Sequence, residues 1–161
     1  MRDNMNNKSG KRFLTILEHP NDILRSPNTE VTDFSAYRPL VVNMVHTMNK
    51  VKGVGIAAPQ IGENIRLFIA LIDKQPIVVF NPKILEESEK IITLEEGCLS
   101  VPGQPVKMTR PFEILVEFQD LKGRTHNRTL EGMNSIIFLH EFDHVLSEGG
   151  RLIIDYKATV A

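Results

Sequence analysis

The chain has 161 residues, 42% of them hydrophobic and 24% charged, with a formal net charge of −1. That length suits one domain with a real core, and so small a charge argues against a nucleic-acid footprint or attraction to an anionic membrane surface. The longest clean apolar run is Leu67–Ile72, a buried strand far short of the roughly 20 residues that span a bilayer. Cys98 is the single cysteine, so no intramolecular disulfide exists and a reducing compartment is the natural setting.

The chain opens on "MRDNMNNKSGKR". It has no apolar core, so it reads as a flexible polar tail over residues 1–12 rather than a secretory signal. One catalytic domain is expected over 13–161. Pro20 and Pro27 break the next stretch into turns. Asp33 or Ser35 is placed to cap a helix running to about Lys50, with Leu40, Met44, Val45 and Met48 on its buried face. "KGVGIAAPQIG" follows as a glycine-rich loop. "IRLFIALI" and "PIVVFNPKIL" read as strands joined by a turn at "DKQP". "EKIITLEEGCLSVPG" reads as a strand, then a loop or short strand, stopped by Pro102 and Gly103. "FEILVEFQD" alternates as a half-buried strand, and "LKGRTHNRTL" supplies the turn and return strand. "GMNSIIFLHEFDHVLS" is the second helix, expected to end near Gly149-Gly150, and "LIIDY" a last short strand. Helices separated by hairpins point to α+β, with antiparallel or mixed sheets around the helix that carries "HEFDH".

That helix holds the first chemical signal. His140 and His144 stand four apart, so their rings share one face and can converge on a single ion. Glu141 lies one step round the helix, in reach of a water at that ion, where a general base belongs. A catalytic metal commonly takes three protein ligands. Cys98, in "EEGCLSVPG", offers a soft sulfur from upstream; Glu148 and Asp155 are the downstream alternatives, which would make the chain a zinc peptidase. "GVGIAAPQIG" superficially matches a dinucleotide loop, with Asp73 twenty residues after Gly53. It follows a helix rather than a strand, and Pro59 and Gly62 stop it from opening a long helix, so that reading fails. Small residues there let another part of the chain approach closely, and Gln60 projects an amide able to meet a polarised oxygen.

Three motifs thus stand in order: "GVGIAAPQ", "EGCLS" and "HEFDH". Together they closely resemble the peptide deformylase family, over a span from about Phe13 to Tyr156. The resemblance implies a metal-dependent hydrolase that removes formyl from the N-terminal formyl-methionine of nascent polypeptides and releases formate. It implies Cys98, His140 and His144 as ligands of one divalent metal, Fe²⁺ natively, with Zn²⁺, Ni²⁺ or Co²⁺ as substitutes. It makes Glu141 the acid/base, and Gln60 with the Leu99 N–H the oxyanion donors. Gly55 would bond the substrate backbone, and Leu94, Met133, Ile136 and Ile137 would line the methionine pocket. Asp143 is expected to pair with Arg110, and Glu96 to orient a metal-binding histidine. The partners implied are formyl-Met nascent peptides, with no nucleic acid and no membrane, in a bacterial or phage-infected cytoplasm or an organelle matrix; the sequence leaves the oligomeric state open, with a monomer favoured. A non-catalytic formyl-peptide binder is the remaining alternative, although such a domain has no need of Glu141. The chain departs from the family pattern after His144, where "VLSEGGRLIIDY" carries about three extra residues. Tyr156 stands where Arg is usual, Leu139 where Gln precedes the histidine, and Pro105 where some members have Arg. With Ala161 last, ribosome docking is not expected to rest on the longer C-terminal helix of many bacterial members.

Overall fold

The computed structural model describes residues 10–159. The expected tail lies outside them up to residue 9; of its last residues, Arg12 donates its backbone N–H to Asn43 Oδ1 at 2.9 Å.

In chain order the elements are α1 (Arg38–Lys50), β1 (Gly55–Ala57), β2 (Leu67–Ile72), β3 (Gln75–Glu87), β4 (Ile91–Cys98), β5 (Val101–Pro111), β6 (Glu113–Gln119), β7 (Thr125–Glu131) and α2 (Met133–His144). Short 3-10 turns occupy Asp22–Arg25, Ser35–Tyr37, Ala58–Ile61 and Ile153–Thr159. One sheet runs β1-β2-β3-β6-β7 and a separate ribbon pairs β4 with β5; all these pairings are antiparallel. The β2–β3 hairpin turns on Asp73 and Lys74, both at positive φ (52° and 63°), the twist a two-residue hairpin loop requires.

The sheet lies between the two helices, and the alternation of β2 decides which side chain faces which. Phe68, Ala70 and Ile72 join Phe138 of α2, with the Phe68 and Phe138 rings edge-to-face at 5.0 Å. Leu67 and Ile69 point the other way, onto Met44 and Met48 of α1. A third cluster packs Cys98, Val101, Val106 and Met108 of the ribbon against Leu24, Leu152 and Ile153. The ribbon and α2 therefore meet where the motif residues lie.

Several elements differ from expectation. The α-helix starts at Arg38 after a 3-10 turn, and neither Asp33 nor Ser35 caps it; the Ser35 hydroxyl turns to Asp33 instead. The glycine-rich loop contains an edge strand, β1, too short to show a period. Pro102 and Gly103 do not stop the chain but lie inside β5. They fall in the register irregularity between Val101 and Val106, where the ribbon has no paired residues, so a proline there removes no ladder bond. α2 ends at His144, well before Gly149, and side chains from elsewhere in the chain take the carbonyls at and just past its end: the Asn28 amide donates to His144 O and Leu146 O, and Arg66 Nε to Val145 O. "LIIDY" is 3-10 rather than strand, and the Asp155 carboxylate accepts the Leu152 N–H at 2.8 Å.

Candidate active site

Cys98 is the last residue of β4, and His140 and His144 face it from the last turns of α2. One ligand atom from each lies within 4.8 Å of the other two, the sole such Cys/His/Asp/Glu group among the described residues. Cys98 Sγ is 3.6 Å from His144 Nε2. The downstream alternatives stay away: Glu148 is exposed and Asp155 pairs with Arg25 at 2.7 Å.

Neighbouring side chains fix the orientation of His140. His140 Nδ1 donates to Glu96 Oε1 at 3.0 Å, which leaves Nε2 free to bind an ion. Glu96 is gripped by both arms of Arg110, Nε to Oε2 at 2.7 Å and Nη2 to Oε1 at 2.9 Å. Arg110 Nη1 also reaches Asp143 Oδ2 at 3.2 Å. Both contacts implied by the family pattern are therefore present, with Glu96 rather than Asp143 as the tighter partner of Arg110.

The electrostatics suit a cation. Burial alone would lower His140, but its bonds to Cys98 and Glu96 and the nearby Glu141 outweigh that and raise its pKa to about 10. These neighbours demand positive charge at this point, as a bound metal would supply. Burial keeps His144 neutral, well below the usual histidine range, which is the form that ligates. Burial also raises Glu141 to about 7, with His140 pulling the other way. Glu141 Oε2 and His144 Nδ1 are the buried side-chain polar atoms without a hydrogen-bond partner among the described residues. In a native interior such atoms call for an explanation, and both belong to this site. The donor set, its geometry and its charge thus fit one divalent metal.

The site opens on a cavity of about 550 Å³ whose walls include Gly55, Leu94, Leu99, Met133, Ile136 and Ile137, with Gln60, Cys98, His140 and Glu141. The structure thus brings the expected pocket and catalytic residues onto one space. Gln60 is 1% exposed. Its Oε1 accepts the Ala57 N–H at 2.9 Å, and this turns Nε2 toward Cys98 Sγ and onto Ser100 Oγ at 3.1 Å. A Cβ on Gly55 would lie 2.5 Å from Glu141 Oε1. The close approach that the glycines suggested is therefore made by the Glu141 carboxylate.

Two residues of the site escaped the sequence reading. Ser100 is fully buried and anchors the Gln60 amide; it stood inside "EGCLS" with no role assigned. Tyr156 donates its hydroxyl to Asp143 Oδ2 at 2.9 Å, a long-range contact that no local pattern reveals.

An H-E-x-x-H helix with a cysteine sulfur beside its histidines, at the edge of a cavity, is the arrangement of a metal-dependent hydrolase. Comparison with known proteins narrows the class. The family model described as polypeptide deformylase matches residues 13–159. The peptide deformylase of Thermotoga neapolitana is 40% identical over 134 residues, 83% of this chain and 80% of that protein. Peptide deformylase 1B, chloroplastic/mitochondrial, of Arabidopsis thaliana is 36% identical over 138 residues, 82% of this chain; the chain spans about half that relative's length (50%). The crystal structure of the Thermotoga maritima peptide deformylase superposes with a TM-score of 0.85 at 36% identity, covering 89% of this chain and 97% of that one. The chain belongs to the polypeptide deformylase family, metal-dependent hydrolases whose activity is the deformylation of nascent polypeptides. No helix among the described residues is long and apolar enough to cross a membrane.

Proposed function

We propose that this chain hydrolyses the formyl group from the N-terminal formyl-methionine of nascent polypeptides, releasing formate and a free amine. The observation that carries the reading is the meeting of Cys98, His140 and His144 within 4.8 Å, beside Glu141 on an apolar-walled cavity. These three residues would hold one divalent cation, Fe²⁺ natively, with Zn²⁺, Ni²⁺ or Co²⁺ able to replace it. When bound, the metal supplies Lewis acidity that makes water reactive near neutral pH.

The chain's own residues supply the rest. Leu94, Met133, Ile136 and Ile137 receive the methionine side chain, and the Gly55 backbone aligns the peptide, so the scissile bond is positioned before reaction. Glu141 takes the proton from the attacking water and passes it to the amine as the C–N bond breaks. Gln60 Nε2 and the Leu99 N–H donate to the formyl oxygen as it gains charge. Glu96 and Arg110, with Asp143 behind them, keep the His140 ring turned to the site. Relatives from bacteria and from plant organelles support a bacterial cytoplasm or an organelle matrix as the setting.

The test is formate release from a formyl-Met-Ala-Ser peptide by anaerobically purified protein. Chelator should abolish turnover. Glu141→Ala should keep the metal and lower turnover by about 10²–10⁴-fold, the range for a positioned acid/base. Undiminished turnover in that variant removes Glu141 from the mechanism.

A further inference from the structure

A line of side-chain contacts runs from the C-terminal segment to the site. Tyr156 Oη donates to Asp143 Oδ2 at 2.9 Å, and Arg110 Nη1 reaches the same oxygen at 3.2 Å. The other two arms of Arg110 hold Glu96, at 2.7 and 2.9 Å, and Glu96 Oε1 accepts from His140 Nδ1 at 3.0 Å. One buried guanidinium, 6% exposed, therefore serves two largely buried carboxylates, Glu96 at 7% and Asp143 at 15%. We propose that Tyr156 is a positioning residue for His140, acting through Asp143, Arg110 and Glu96, and that its hydroxyl slows loss of the divalent cation. The inference rests on the metal reading given above.

The argument is one of competition for Arg110. Among the described residues, Tyr156 and Arg110 are the only side-chain donors to Asp143. While the hydroxyl satisfies part of Asp143, the guanidinium can keep its paired fork on Glu96, the stronger arrangement. Without the hydroxyl, the largely buried Asp143 has Arg110 as its one side-chain donor among the described residues and draws it away from Glu96. Glu96 then loosens, and the bond that fixes the His140 ring loosens with it. The Tyr156 ring is itself held in place: the Arg151 guanidinium lies 4.3 Å from its centre, and its neighbour Asp155 is tied to Arg25 at 2.7 Å.

Two variants separate positioning from mere anchoring of the segment. Tyr156→Phe keeps the ring and removes the hydroxyl. Arg25→Ala removes the tie to Asp155 and leaves the hydroxyl in place. Each is loaded with Co²⁺, read through the thiolate-to-cobalt absorption band. Cobalt loss to excess chelator, Tm, kcat and KM are then measured. Tyr156→Phe should lose cobalt about tenfold faster, the low end for a residue that orients a ligand, with kcat reduced and KM unchanged. Arg25→Ala should lower Tm and retain cobalt like the parent. Cobalt retention in Tyr156→Phe equal to the parent's overturns the inference, as does equal cobalt loss in both variants. A parent that gives no thiolate-to-cobalt band overturns the metal reading as well.

Discussion

A second cavity, of about 400 Å³, lies between the first residues of β3 and the β6–β7 turn. It is smaller than the active-site cavity, yet it carries more charged side chains: Arg38, Asp120, Lys122, Arg124 and Arg128, against Lys52, Glu95, Glu96 and Glu141. The difference that matters is where the charges sit. Arg124 is 66% exposed and meets Asp120 at the surface, at 2.9 Å; water solvates such a pair and its geometry is cheap to lose. Glu96 and Glu141 are buried. A buried carboxylate is costly unless other groups hold it, and Arg110 with His140 does so for Glu96. Neither cavity size nor charge count marks a reactive site. What sets the first cavity apart is that its shifted carboxylate, Glu141, is buried beside the cysteine and the two histidines, whereas Asp120 is partly exposed and satisfied by surface partners.

That contrast can be pressed by substitution. Cys98→Ala should have the largest effect. Two imidazoles alone should not retain the metal through a chelator wash, so metal content and formate release should both fall to background. Retained metal with near-parental turnover would show that sulfur is not a ligand.

Gly55→Ala tests the crowding at Glu141. The added methyl group would force the carboxylate to move, and displacement of a reacting group by about 1 Å can cost about 10²-fold. The expected result is a fall of that order in kcat with metal content unchanged. Parental kcat would show that Glu141 has slack the structure does not suggest.

Asp120→Asn addresses the other cavity and should do least. Burial pushes the Asp120 carboxyl up, but donors from His126, Arg124 and Lys122 outweigh it and hold it well below the usual carboxylate range. A depressed carboxylate adds stability that is present above its unfolded pKa of about 3.9 and is lost as pH falls through the lower folded value. Parent and variant should therefore differ by no more than about 1 kcal/mol at neutral pH, with the gap closing in acid and kcat unaffected throughout. A large loss of turnover would mean that the two cavities are coupled.

How far the sequence discloses this molecule follows the length and regularity of each element. β2, β6 and β7 and the motif helix are long or alternating enough to read directly; of the expected face of α1, Met44 and Met48 are buried and Leu40 and Val45 partly so, while the buried Val41 and Thr47 were not expected. β1 has three residues and no period. β5 carries Pro102, Pro105 and Pro111, which signal a stop by local rules; the first two fall in the register irregularity between Val101 and Val106, which no local pattern announces. The carbonyls at the end of α2 are taken by Asn28 and Arg66, far away in the chain. At the site, His140, Glu141 and His144 announce themselves by spacing along one helix. The chemistry of the thiol makes Cys98 one candidate beside Glu148 and Asp155, and only the family resemblance singles it out, since nothing local says where a sulfur 42 residues upstream of His140 will point. Ser100 and Tyr156 act through contacts 40 and 13 residues distant in sequence, which no window of neighbouring residues contains.

The account depends on one sulfur and two ring nitrogens sharing a single ion. X-ray absorption on the zinc-loaded protein measures that set directly. The expected shell has one Zn–S distance of about 2.3 Å and two Zn–N distances of about 2.0–2.1 Å, with the remaining position taken by a light atom. A shell without sulfur, or with zinc spread over carboxylate oxygens elsewhere in the chain, would contradict it.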